Sequence, residues 1–355
     1  MILSRYLQRN IYFGTGLALL LLVSLSLFFA LVRELEDLGK DGYGYLQVFE
    51  YLALLVPARV VEFLPLAALL GCIMSLGALA GNSEIIAMQA SGVSFSRLLI
   101  SVLQAGIGLA LVSFALSEWV VPDSSTNARE VQSSTVKQGA ALRSRQGVWI
   151  KDGSRVIHIG KLFPNGFARD VVVYQLDSAG KLESNLHAQR AEPVENGWEL
   201  QQIEFQSLDP QKTSNESFDK LHYSGDISHE LLQVLLIKPS RMSRRDLHAY
   251  LKFLDENRLE AKAERLIFWQ KVFAPLTIFV MCLLAIPFIL GAQRQSSNGY
   301  RLLIGILLGL SFAVLNRLLT QLGSQFEFNA VFVAMAPNVL FFAVAGCLLQ
   351  RKLSY

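Results

Sequence analysis

The segment from Ile11 to Val32 reads I-Y-F-G-T-G-L-A-L-L-L-L-V-S-L-S-L-F-F-A-L-V and contains no charged residue. A helix needs about 20 apolar residues to cross the hydrocarbon core of a bilayer, so this segment predicts a membrane span. It is longer than the apolar core of a signal peptide, and no small-residue cleavage site follows it closely, which predicts that the span is retained.

Five further apolar runs meet the same criterion and extend the prediction to six spans. They are Arg59–Ala80, Leu98–Leu116, Val272–Leu290, Leu302–Leu322 and Val331–Leu349. The composition agrees, because 52% of the 355 residues are apolar and 17% are charged, as is typical of membrane proteins. A net charge of +3 is too small to favour nucleic acid as a partner. The three cysteines lie inside apolar runs, and the five histidines form no Cys/His pattern, so neither a disulfide framework nor a metal site is predicted.

Basic residues beside these runs set the predicted orientation. Arg5 and Arg9 precede the first run, Arg97 follows the second, and Arg301 precedes the fifth. Short loops rich in Lys and Arg stay in the cytoplasm, so both termini are predicted to be cytoplasmic. The long polar segment between the third and fourth runs is then predicted to lie on the opposite side.

This polar segment, from Asp123 to Lys262, predicts a domain made mainly of β-strands. Residues 148–150, 155–159, 171–176 and 198–205 alternate at period two, and short strands at near-regular spacing are typical of a β-sandwich or jelly roll. Ser243 and Asp246 have the spacing of a capping box, which predicts an amphipathic helix after it. The segment shows no catalytic triad and no phosphate-binding loop, so a binding or scaffold role is favoured.

The stretch from Ser83 to Arg97, S-E-I-I-A-M-Q-A-S-G-V-S-F-S-R, predicts a short helix between the second and third spans. Ser83 is placed to cap it, Glu84 falls in its first turn, and Gly92 suits its end. Ile85, Met88 and Gln89 share one face. A short helix between two membrane spans is well suited to dock a partner subunit. Glu84 has two interpretations: a charge-assisted contact to a basic residue of that partner, or an acid that complements the helix dipole by about 0.3–1 kcal/mol.

Four segments resemble the permeases of lipopolysaccharide export, the LptF/LptG family, and match its LptG branch more closely. These segments are 83–92 (S-E-I-I-A-M-Q-A-S-G), 118–122 (E-W-V-V-P), 146–153 (Q-G-V-W-I-K-D-G) and 247–254 (L-H-A-Y-L-K-F-L). The resemblance covers essentially the whole chain. It implies an α+β membrane protein with six transmembrane helices, arranged 3+3 around an inserted periplasmic β-jellyroll-like domain. The expected bounds are 1–122 for the first helices, 123–262 for the β domain with its connecting helix, and 263–355 for the last helices.

The resemblance also implies the partners and the location. The chain is expected in the bacterial inner membrane as a subunit of an ABC transporter that extracts lipopolysaccharide from the outer leaflet. The implied partners are a homologous six-span permease (LptF-like), a dimeric cytoplasmic ATPase (LptB-like), a single-span β protein (LptC-like) and a periplasmic bridge protein (LptA-like). The chain has no G-x-x-x-x-G-K-[ST] motif, so ATP and Mg are expected in the ATPase and no cofactor in this chain.

Basic residues at the outer membrane level are the predicted contacts to lipopolysaccharide, whose lipid A carries phosphates. Span counting places seven basic residues there, Lys262 and Arg265 among them. The predicted contacts are the other five: Arg33, Lys40, Arg59, Lys271 and Arg317. The alternative is that they are interfacial anchors with their charges in water. Arg59 has the further alternative of pairing with Glu62, three residues on.

Three other functions fit the pattern less well. An ion-coupled secondary transporter is disfavoured, because its buried midplane acids are missing from the six runs. A periplasmic-sensing scaffold would not need the short helix between spans two and three. A membrane enzyme is the weakest alternative, since no catalytic constellation supports it.

Overall fold

The structure is a computed structural model of the chain. It describes all residues except 1, 37, 40–43, 136–147, 153, 163–166, 178–180, 195–196, 210–211, 224–238, 257–260, 291–297, 327 and 354–355. The chain divides into two compact units. The first combines Met1–Glu36, Leu52–Ser125 and Ala261–Tyr355, and the second combines Asp37–Tyr51 and Thr126–Glu260.

The helices before the strands are α1 (Ile2–Leu35), α2 (Tyr45–Gly81), α3 (Glu84–Ala90), α4 (Phe95–Ala115) and α5 (Val121–Thr135). Those after the strands are α6 (Arg244–Glu256), α7 (Lys262–Leu290), α8 (Asn298–Gln325) and α9 (Ala330–Leu353). All six predicted runs lie on helices long and apolar enough to cross a membrane, three before the strands and three after them. The helices extend beyond the predicted runs because their polar end turns continue the backbone hydrogen bonding.

A π-helical segment, Leu116–Val120, joins α4 to α5. Pro122 lies two residues after this segment ends. It has no N–H to donate, and its ring would crowd the carbonyl four residues earlier in a regular helix. The wider π turn removes that conflict, so the third long helix continues past Pro122.

Helix α2 is the centre of the first unit. In its most apolar stretch 61% of the residues are buried, against 17% for the corresponding stretch of α8. Gly71 allows α1 to cross α2 in backbone contact, because a Cβ at Gly71 would overlap the backbone of Thr15. The resulting core contains residues from α1, α2, α3, α4, α7, α8 and α9.

The second unit contains one antiparallel sheet in the order β1-β2-β3-β4-β5-β6. Its strands are β1 (Val148–Asp152), β2 (Arg155–Leu162), β3 (Ala168–Leu176), β4 (Leu182–Val194), β5 (Gly197–Asp209) and β6 (Lys212–Tyr223). The four predicted strands are confirmed. The sequence reasoning missed β4 and β6, which are rich in polar residues and acquire their conformation from pairing with β5. Among the described residues the strands form a meander, in which each strand pairs with its neighbours in sequence.

A line of interruptions crosses this sheet. Pairing skips Gly160, Asp170, Gln189, Gln202 and Asp219, which lie opposite one another on successive strands. Asp170 and Gln202 have positive φ values of 57° and 53°, which turn the strands locally. The line therefore lets the sheet coil about the apolar residues of one face.

Arg155 and Tyr223 show how far the sheet coils. They belong to β2 and β6, which would lie roughly 19 Å apart in a flat sheet with strands about 4.8 Å apart. In the structure the Arg155 Nη1 donates to the Tyr223 hydroxyl at 3.3 Å, and its guanidinium lies 5.4 Å from the centre of the Tyr223 ring. The interior between them is apolar and includes Ile157, Trp198 and Ile203.

Helix α6 begins with the predicted capping box. The Ser243 hydroxyl accepts from the Asp246 N–H at 3.0 Å and donates to the Asp246 carboxylate at 2.7 Å. Leu247, Leu251 and Leu254 are buried, and the neighbouring Phe253 packs against the apolar face of the sheet. The amphipathic-helix prediction is confirmed.

Candidate functional site

The short helix α3 ends as predicted but begins differently. Gly92 has φ +89°, its N–H donates to the Gln89 carbonyl at 3.0 Å, and the Val93 N–H donates to the Met88 carbonyl at 3.1 Å, which together form a Schellman motif. Ser83 precedes the helix in a left-handed conformation, φ 61°, and its side chain makes no capping hydrogen bond. The prediction of a Ser83 side-chain cap is wrong, because capping requires an extended backbone that directs the oxygen toward the first turn.

One face of α3 is anchored in the membrane-helix core. Ile85 is 5% exposed and belongs to the main apolar cluster, and Met88 and Val93 pack against it. Its neighbour Ile86 is 45% exposed, and Gln89 is also exposed. Of the predicted face, Ile85 and Met88 therefore point inward while Gln89 remains open to a partner. A small apolar cavity of about 30 Å³ lies between Ile85 and the neighbouring helices.

The Glu84 carboxylate is half-buried and already oriented by two contacts. One oxygen accepts from the Tyr6 hydroxyl of α1 at 2.9 Å, and the other accepts from the Asn82 amide at 3.4 Å. A carboxylate has about four acceptor positions, so capacity remains for an incoming arginine or lysine. The site thus offers a held negative charge on a rigidly anchored helix.

A buried arginine lies close to the same end of the unit. Arg301, on the first turn of α8, is 6% exposed and donates from Nη1 to the Gly77 carbonyl of α2 at 3.1 Å. Gly77 belongs to the last turns of α2, where carbonyls carry the negative end of the helix dipole. The contact joins α8 to the helix end that leads directly into α3. We call this end, with Glu84, Tyr6 and Arg301, the α3 end.

The predicted cargo-contacting residues have different surroundings. Arg33 lies in the last turn of α1 and Arg317 near the end of α8, and both are exposed. Arg59 donates to Glu62 at 2.7 Å, which confirms the predicted pair. Lys271 is half-buried on α7, and Lys40 lies outside the described residues.

A hydrogen bond between α7 and α8 brings two of these residues to the same level. The Gln270 amide of α7 donates to the Thr320 hydroxyl of α8 at 2.6 Å. Lys271 adjoins Gln270, and Arg317 lies one turn before Thr320, about 24 Å along α8 from Arg301. Trp269 stacks on Phe273 beside them, as is typical of aromatic belts at a membrane–water interface.

The second unit offers an apolar interior and polar strand surfaces. The cavity within the coiled sheet measures about 20 Å³, which is too small for an acyl chain without opening of the sheet. Between β5 and β6 the Lys220 ammonium donates to Glu199 at 2.6 Å and holds the pKa of that carboxyl below its usual value. Among the described residues, no group of three His, Cys, Asp or Glu side chains is arranged to hold a metal ion.

Sequence reasoning missed Tyr6 and the buried state of Arg301. Their partners lie 78 and 224 residues away in the chain, so no local spacing could indicate them. The sequence signal for Arg301 was its position beside an apolar run, which equally suits an exposed loop charge.

Comparison with known proteins identifies relatives along the whole chain. The family described as lipopolysaccharide export system permease LptF/LptG matches residues 5–351. The chain is 31% identical over 354 residues to the lipopolysaccharide export system permease protein LptG of Escherichia coli (strain K12), covering 99% of this chain and 98% of the relative. It is 29% identical to the Haemophilus influenzae LptG protein over 352 residues, with the same coverage. It is 25% identical to Escherichia coli LptF, covering 97% of this chain and 93% of that protein.

Proposed function

The chain belongs to the LptF/LptG family and is a multi-pass inner-membrane permease subunit of lipopolysaccharide transport, and we propose that it is the LptG-like half of an ABC transporter. In this proposal it extracts lipopolysaccharide from the outer leaflet of the inner membrane and passes it to a periplasmic bridge. The observation that carries the coupling part of the proposal is α3, a short helix anchored by Ile85 that presents a held Glu84 carboxylate.

We propose four protein partners. The first is a homologous six-span permease, for which the similarity to an LptF protein and the exposed apolar faces of α1 and α8 provide support. The second is a dimeric cytoplasmic ATPase that binds ATP and Mg and contacts α3. The third and fourth are a single-span β protein and a periplasmic bridge protein, which would extend the sheet of the second unit.

The proposed topology has both termini and α3 in the cytoplasm and the β domain in the periplasm. The arrangement is 3+3, with helices in 1–122, the β domain with its connecting helix in 123–262, and helices in 263–355. The coiled meander and the Arg155–Tyr223 contact support a jelly-roll-like domain that closes around its apolar interior. The aromatic cluster at Trp269 supports an outer membrane surface at the level of Lys271 and Arg317.

The proposed mechanism is mechanical. Closure of the ATPase displaces α3, and Ile85 carries the displacement into the core that it shares with α2, α4 and α7. Tyr6 and Arg301 extend the same connection to α1 and α8. Movement of α1 and α8, whose apolar faces are the most exposed, would narrow a cavity shared with the sister permease and expel the acyl chains outward.

The proposed cargo contacts are basic side chains at the outer end. Arg33 and Arg317 are exposed, so their guanidinium groups are available for lipid A phosphates. Lys271 lies at the level of Arg317. Lys40 remains a prediction from sequence, and Arg59 would have to share its charge between Glu62 and a phosphate.

The test compares Glu84→Ala with Gln89→Ala in the purified complex reconstituted in liposomes. Glu84→Ala removes the held charge, so we expect reduced ATPase recovery or ATP hydrolysis that no longer moves lipopolysaccharide. Gln89→Ala shortens an exposed neutral side chain on the same helix and should change both readouts less. Unchanged recovery and unchanged transport in Glu84→Ala would overturn the coupling role. Lipopolysaccharide transport by the chain without an ATPase would favour an ion-coupled transporter.

A further inference from the structure

We propose that the α3 end carries a binding site for an anionic phospholipid of the inner leaflet, between the first turns of α1 and α4. A cavity of about 660 Å³ opens there. Arg5 of α1 and Arg97 of α4 line it, both exposed, and no Asp or Glu is among the described residues that line it. The inference rests on the proposed cytoplasmic position of this end.

Charge is the first reason for an anionic ligand. Neither the Arg5 nor the Arg97 side chain makes a hydrogen bond or ion pair within the described part of the chain. Two guanidinium groups at one opening suit a phosphate. The described lining of the cavity offers no carboxylate to the amine of a zwitterionic lipid. A phosphatidylglycerol-type head group meets both conditions.

The depth of the cavity is the second reason, and it favours a lipid over a soluble protein as the ligand. The cavity floor is a polar seam in which the Gln8 amide donates to Gln104 Oε1 at 3.0 Å and the Ser101 hydroxyl donates to Ser4 at 3.1 Å. Gln104 lies seven residues after Arg97, about 10 Å further into the span. A cytoplasmic protein would contact the arginines without filling this depth, whereas the glycerol and ester groups of a phospholipid lie below its phosphate.

An amide on this floor has unused hydrogen-bonding capacity. Gln104 is exposed, and its Nε2 group donates to no acceptor within the described residues. This amide is therefore available to donate to a glycerol or ester oxygen of a lipid in the cavity. Ile100 is 53% exposed on the cavity wall and offers an apolar surface to the acyl chain. The two arginines thus suit the phosphate, Gln104 suits the ester groups, and Ile100 suits the acyl chain.

The test measures phospholipid retention by the full chain purified with its sister permease. The complex is titrated with phosphatidylglycerol, phosphatidylcholine or inorganic phosphate, and bound lipid is counted by native mass spectrometry. We expect the double variant Arg5→Gln, Arg97→Gln to retain roughly tenfold less phosphatidylglycerol, and Gln104→Leu roughly threefold less. Arg9→Gln is the matched control, since it removes the same charge from an exposed position of α1 that does not line the cavity.

Three results would overturn the proposal. One is equal retention by the double variant and Arg9→Gln. The second is competition by inorganic phosphate at the same concentrations as phosphatidylglycerol, which would show an anion site without lipid recognition. The third is loss of the ATPase from the double variant with retention unchanged, which would assign the cavity to a protein partner. Lipid retention does not depend on transport, so the two proposals fail separately. If the double variant loses phosphatidylglycerol while Glu84→Ala still transports lipopolysaccharide, the lipid site is supported and the coupling role of Glu84 is overturned.

Discussion

Glu84 at the α3 end and Arg317 at the opposite end are the charges that the sequence singles out most sharply, and the structure surrounds them differently. Glu84 is half-buried and held by Tyr6, on a helix that Ile85 anchors in the core. Arg317 is exposed, and no hydrogen bond or ion pair holds its side chain among the described residues. A contact that transmits motion needs a fixed geometry, whereas a contact to a lipid that arrives and leaves needs an open charge.

The largest expected effect is on the anchor of α3. Ile85→Ala removes buried side-chain volume next to a small cavity and should lower the free energy of unfolding by about 2–5 kcal/mol. Ile86→Ala, one residue on and exposed, should change it by less than about 0.5 kcal/mol. Thermal unfolding of the purified complex would measure both.

The variants Ile85→Ala and Ile86→Ala also distinguish the anchoring of α3 in the permease from its docking to the ATPase. If Ile86 contacts the ATPase, Ile86→Ala keeps the stability of the permease and lowers ATPase recovery. Equal stability of the two variants would show that α3 is not anchored through Ile85. Glu84 would then lack the fixed geometry that distinguishes it from Arg317.

The next effect concerns the open charges of the opposite end. Arg317→Glu and Arg33→Glu should each weaken lipopolysaccharide binding by about tenfold. This is the lower part of the range for a lost charge-assisted hydrogen bond, because water reaches both side chains. Arg9→Glu at the α3 end is the control. Binding by the outer variants that equals the control would make these arginines membrane anchors.

A smaller effect tests whether Glu84 needs to be held. Tyr6→Phe removes the hydroxyl that donates to Glu84 but keeps the ring. The loss of this hydrogen bond should destabilise the observed orientation of the carboxylate by about 1 kcal/mol. We expect normal ATPase recovery with fewer lipopolysaccharide molecules moved per ATP. If transport per ATP stays at the wild-type value, the Tyr6 contact does not contribute to coupling.

The two ends also differ in how far the sequence predicted them. Hydrophobic run length predicted all six long helices, and Gly92 predicted the end of α3, because both signals are local. Tyr6 and Arg301 escaped prediction because their partners are distant in sequence, and Ser83 misled because its backbone is left-handed. In the sheet, β6 has the composition of a loop and is a strand only because β5 pairs with it. Local patterns therefore predicted the six long helices and four of the described strands. The remaining strands, and the contacts of Tyr6 and Arg301, depend on tertiary packing.

The smallest effect concerns Arg59, whose charge is shared with Glu62. The ion pair is three residues apart on α2, with Glu62 exposed, so Arg59→Gln should change stability by less than about 0.5 kcal/mol. It should also weaken lipopolysaccharide binding less than Arg317→Glu does, because Arg59 is already paired. Glu62→Gln gives the sharper measurement, since it releases Arg59 without removing it. If Arg59 contacts a lipid phosphate, Glu62→Gln raises lipopolysaccharide affinity, and the double variant Arg59→Gln, Glu62→Gln cancels the gain. Affinity that stays the same in all three variants would assign Arg59 to the structure of α2 and leave the open arginines as the cargo contacts of this end.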